Sequence, residues 1–156
     1  MQPWLVLERN KYNDIDDIVS ALVDQGYKVS DWIVDIASRL NKKSLPNDIW
    51  LYRVCLADLG LSAATTLENV YATAAKAGYG LLDPSVALYT RTLYDEQPIG
   101  EWLRIAVPLD SMIDSDGIPH LPKLGHALNS FYIETYWSWP HAIFHPTNEF
   151  VFQRDQ

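Results

Sequence analysis

Residues 49–59 read Ile49-Trp-Leu-Tyr-Arg-Val-Cys-Leu-Ala-Asp-Leu59, and how they fold decides the architecture. The run is almost continuously apolar, with Arg53 at its centre. A strand buried on both faces and a helix both produce such a run, and its length suits either. The expectation here is helix or mixed structure. Upstream, Ile15, Ile18, Val19, Leu22 and Val23 fall on one stripe at helical spacing. Asn13 or Asp14 can cap that helix, Asp16 and Asp17 suit its positive end, and Gly26 stops it. Ser30 opens a second helix carrying Trp32, Ile33, Ile36, Ala37 and Leu40, broken by the turn residues of 41–46. Downstream, Thr65 and Glu68 stand at capping-box spacing, followed by Leu67, Val70, Tyr71, Ala74 and Ala75 on one face and Gly78 at the end.

After Gly80 the pattern changes. Asp83-Pro84 marks a new start, and Ser85–Tyr89 fits a short helical turn. Thr90–Tyr94 is rich in β-formers, Glu101–Leu109 alternates, Asp114–Gly117 is a turn, and Asn129–Trp137 alternates again. Phe150–Phe152 reads as a closing strand. The expected fold is α+β, with a helical N-terminal half (about 1–80) followed by a small antiparallel β-sheet (about 81–153) in a single domain over 1–156.

Apolar residues make up 48% of the 156 and charged residues 21%, a balance that lets a chain of this length bury a core. Cys55 is the only cysteine, so neither an internal disulfide nor a cysteine zinc cluster is possible. No basic leader and no membrane-length apolar run is present, which gives a cytoplasmic expectation and no membrane partner. The net charge is −8, and residues 79–156 hold 4 basic against 10 acidic side chains. That balance disfavours nucleic acid, whose binding needs positive charge, and favours a basic protein partner.

The segment Leu88–Pro108 is the most distinctive. It reads as two strands joined across Asp95–Gly100, with Arg91 and Arg104 on either side and Asp95, Glu96, Gln97 and Glu101 in or beside the connection. If the strands pair, these charges meet across them. Arg91, Asp95, Gln97, Glu101 and Arg104 are therefore candidate binding residues.

In this segment the chain resembles an uncharacterised family of small bacterial proteins. The resemblance rests on Arg91, Tyr94, Gln97, Pro98, Gly100 and Glu101, with Leu59-Gly60, Ala77–Leu81 and Phe150–Phe152 around them. Leu82-Asp83-Pro84 stands where that pattern has a Cys-Pro pair. The resemblance implies a single bacterial domain and carries no catalytic role.

All four histidines, His120, His126, His141 and His145, fall in the last part of the chain. His141 and His145 stand four apart in Tyr136-Trp-Ser-Trp-Pro-His-Ala-Ile-Phe-His-Pro146 and would face one way on a helix. Pro140 and Pro146 leave little more than one turn for that helix, and Ala142 stands where a zinc-protease helix has Glu. Asp114-Ser-Asp-Gly117 lacks the later ligands of a calcium loop. No phosphate loop, dinucleotide loop or nucleophile elbow is present. No metal and no cofactor is expected, and no residue is assigned a catalytic role. Trp137 and Trp139 join His141 and His145 as candidate binding residues, since exposed aromatics make good contact anchors. The expectation is a non-enzymatic protein- or ligand-binding domain with an acidic C-terminal half. A hydrolase-like or metal-binding enzyme using the C-terminal histidines is the alternative.

Overall fold

Ile49–Cys55 is a strand, and it joins the first half of the chain to the second. Both of its faces are covered: Leu51 is buried on one side, Tyr52 and Val54 on the other. A strand covered on both sides loses the alternation that marks a half-buried one. The computed structural model describes residues 1–8 and 11–154. In order they form β1 (Leu5–Leu7), α1 (Ile15–Asp24), β2 (Lys28–Val29), α2 (Asp31–Arg39) and β3 (Ile49–Cys55). After a single 3-10 turn over Leu56–Leu59 come β4 (Thr65–Thr66), α3 (Leu67–Lys76) and α4 (Pro84–Leu93). The rest is β5 (Trp102–Ile105), β6 (His120–Ala127), β7 (Ser130–Trp137), β8 (Ile143–Phe144) and β9 (Glu149–Gln153).

Seven strands form one sheet in the order β1-β3-β9-β5-β6-β7-β2, and β4 pairs with β8 separately. The β9–β5 and β7–β2 pairs are parallel, and the others antiparallel. The expected division into a helical first half and a small antiparallel sheet is therefore wrong. Four helices and the strands of a mixed sheet are spread through the chain. β1, β2, β3 and β4 lie in the supposed helical half, and α4 lies in the supposed sheet half.

Helix starts follow local chemistry. Asp14 accepts from the Asp17 N–H, Ser30 from Trp32, Thr66 from Asn69 and Asp83 from Ser85. Pro84 at the first turn of α4 suits its fixed φ. Every residue of α4 from Pro84 to Arg91 is buried, so it shows no stripe, and burial overrides the β-forming run Thr90–Tyr94.

Register assigns the two faces of the sheet. Leu51, Arg53, Leu103, Leu124, Ile133 and Val151 share one face, while Tyr52, Phe150, Phe152, Arg104, Lys123 and Tyr136 share the other. Arg91 of α4 lies over Phe131 and Trp32 of α2 stacks on His120, so these helices cover the first face, and α1 packs against both. Tyr71 of α3 meets Phe152 and donates to the Val107 carbonyl, so α3 covers part of the second.

Candidate binding surface

The expected hairpin between Arg91 and Arg104 does not form. Arg91 lies on α4 and is fully buried. Its guanidinium donates to Gln97 Oε1 at 2.7 Å, to the Tyr132 and Gly125 carbonyls at 3.2 and 3.3 Å, and to the Tyr94 carbonyl. Among the described residues no carboxylate forms an ion pair with it, and burial pushes its pKa down to about 10. Gln97 completes the knot by donating to the Leu124 and Glu101 carbonyls. Arg91 and Gln97 thus tie the end of α4 to β6 and β7 rather than facing a ligand. Asp95 is exposed in the loop that follows α4.

Glu101 turns to Arg53, a partner the sequence did not indicate. Arg53 Nη2 reaches Glu101 Oε2 at 2.9 Å, and Arg53 makes a two-point contact with Glu149 at 2.8 Å for both bonds. Tyr94 donates to Glu101 at 2.7 Å and accepts from Arg53 at 3.1 Å. Desolvation first, then Glu101, pushes the Tyr94 hydroxyl up to about 12. Glu149 is held below the usual carboxylate range by its bonds to Arg53. Trp4 meets the Tyr94 ring edge-on at 4.8 Å. The Arg53–Glu149 pair lies across β3 and β9, positions far apart in sequence that only the sheet brings together.

The histidines scatter. His120 is buried, with Nε2 at 2.8 Å from Asp114 and Nδ1 at 3.0 Å from the Thr135 hydroxyl. The order hydroxyl, imidazole, carboxylate is that of a nucleophile with its base and orienter. Catalysis needs the imidazole open to substrate, and here the Trp32 ring stacks on it at 5.2 Å. The network instead pins the 114–117 turn, where Asp114 also accepts from the Asp116 and Ile118 N–H groups. His126 contacts the Gln97 carbonyl, and His141 stacks on Trp139 at 6.0 Å. His145 precedes a turn closed by Asn148. His141 and His145 do not share a helix: Ile143–Phe144 between them is β8. Among the described residues, no three His, Cys, Asp or Glu side chains gather to hold a metal.

The open surface lies at the end of β7. Two-residue turns close with a hydrogen-bonded pair, so Ala127–Ser130 sets the alternation along β6–β7. Thr135 and Trp137 then point their N–H and C=O groups away from β6. Two bonds agree with this phase: Ser30 N–H donates outward to the Ile133 carbonyl, and Ser138 N–H donates inward to Pro119. β2 pairs only with Tyr132 and Ile133, so among the described residues the outer edge at Thr135 and Trp137 has no strand beside it. A groove of about 440 Å³ runs along this edge, lined by Trp32, Glu134, Thr135, Tyr136 and Trp137. Trp32 is 45% exposed and Trp137 62%, unusual for tryptophan. Trp139 and Ile143 are exposed just beyond.

The chain matches no family model, no curated protein and no solved structure. No helix among the described residues is long and apolar enough to cross a membrane.

Proposed function

We propose that this chain is a protein-binding domain whose docking site is the outer edge of β7. The occupant is an extended segment of a basic partner protein, added to the sheet as a further strand beside Thr135 and Trp137. The observation that carries this reading is the unpaired strand edge flanked by Trp32 and Trp137 along one groove. Strand addition takes its affinity from main-chain hydrogen bonds and its selectivity from side-chain pockets. Exposed tryptophans supply anchors of the type that dominates binding energy. Glu134 lines the groove, Asp31 precedes Trp32, and the whole chain carries −8, a balance that suits a basic segment.

Pull-down from the native cell tests this reading. The wild type is compared with Trp32→Ala/Trp137→Ala and with Asp95→Asn/Glu96→Gln, which lies in an exposed loop. The expected result is a partner captured by the wild type, lost with the tryptophans and weakened by the charge change. An unchanged capture by the tryptophan variant would refute the assignment.

A further inference from the structure

We propose that Arg104 and Lys123 form a binding site for an oxyanion, the carboxylate or phosphate head of a small ligand with a flat apolar body. The two residues stand directly opposite each other on β5 and β6 and share one face of the sheet. Like charges in that position repel, so the sequence places them there at a cost to stability. Several other cations of this acidic chain are compensated: Arg39, Lys42, Lys43 and Arg53 by carboxylates, and Arg91, its Nε apart, by Gln97 and backbone carbonyls. The side chains of Arg104 and Lys123, both half-buried, have no ion pair and no hydrogen bond among the described residues, and the Arg104 Nε is buried without an acceptor. Glu134, the cross-strand neighbour of Lys123, acts on it electrostatically but forms no close ion pair with it or with Arg104 among the described residues.

Aromatic rings hold the two cations in place. Arg104 lies over Tyr136 and Phe144 at 5.6 and 5.5 Å, and Lys123 over Trp102 at 4.9 Å and Tyr136 at 5.9 Å. A ring attracts a cation through its face and leaves the N–H donors free. Desolvation pushes both pKa values down, and Arg104 lowers that of Lys123 further, by more than Glu134 raises it. An oxyanion would accept from both side chains and remove their repulsion, with a charge-assisted fork from Arg104. Gly125 makes room for the wall of the site. A Cβ at that position would fall 2.2 Å from the Trp102 ring. Trp102 and Tyr136 then offer flat apolar surface to the body of the ligand.

Calorimetric titration of the full chain with phenyl phosphate, benzoate and uncharged benzamide tests the site, independently of any protein partner at β7. One of the two anions is expected to bind saturably at a single site, and the tighter one names the head group. Lys123→Gln is expected to weaken it about tenfold or more, the loss of one charge-assisted contact. Lys76→Gln, an exposed lysine on α3, should leave it unchanged. Three results would overturn the proposal: no saturable binding of either anion at millimolar concentration, equal binding by Lys123→Gln, or equal binding of benzamide. Arg104→Gln adds a second arm where circular dichroism shows it folded, and otherwise Lys123→Gln decides.

Discussion

Arg91 illustrates how one side chain can be distinctive in sequence and yet serve the core. Its bonds to three backbone carbonyls and Gln97 hold a helix end onto two strands. Arg91→Ala leaves the Tyr94 carbonyl and Gln97 Oε1 without this donor in a dry site, and an unsatisfied buried group costs about 1–3 kcal/mol. Urea denaturation should show that loss, and Arg91→Lys should recover only part of it, since one ammonium cannot reproduce the planar fork. Leu128 offers the opposite case. It sits in the β6–β7 turn at φ 54, 81% exposed, where its side chain packs against little. Leu128→Gly should raise stability by about 1 kcal/mol, the cost of a left-handed non-glycine residue. Asp114 and Glu149 set the acid limit. Their folded pKa values lie below the ordinary ones of about 3.9 and 4.3, through His120 and Arg53 respectively. In that window the unfolded chain binds more protons, so stability is full above it and falls as pH drops through the folded values. Asp114→Asn should flatten the pH dependence of the urea midpoint below about pH 4.5.

Among the elements, α1, α2 and α3 were legible because each has one buried face and a capping residue at its start. The strands at 130–137 and 149–153 were legible through alternation or an aromatic run bounded by turns. β3 and the second half of α4 were not, because burial all round erases the periodicity that distinguishes a strand from a helix, whereas the start of α4 at Asp83-Pro84 was read. The same burial hid the Arg53–Glu101–Glu149 network, whose members have no sequence spacing in common. The tryptophans of the candidate site were visible as composition, but the open edge that gives them a role depends on β2 ending after Val29. That edge makes a positional prediction. A proline at Trp137 removes a donor pointing away from β6, so Trp137→Pro should fold and melt close to Trp137→Ala yet bind partner more weakly still. Thermal melting and the pull-down measure the two halves of that statement. Gly125→Ala should be the damaging change on the other face, because the Trp102 ring already occupies the space.

At the scale of the whole molecule, the charge of −8 acts at a distance. Association with a basic partner should be fast in dilute salt and should slow several-fold between low and physiological ionic strength, as screening shortens the reach of the field. Stopped-flow measurement at two salt concentrations reads this directly, and a rate that ignores salt would point to an apolar partner. The sheet order carries a different consequence, for how the protein is made. β9 follows every other described strand in sequence, yet it lies between β3 and β5 near the middle of the sheet. During synthesis, β3 and β5 leave the ribosome long before the strand that joins them. Each waits with an unpaired apolar edge, the condition under which nascent chains stick to one another or recruit chaperones. A ribosome stalled before residue 149 would therefore hold β3 and β5 without the strand that pairs with both, and yield in a cell should depend on how quickly residues 149–153 follow.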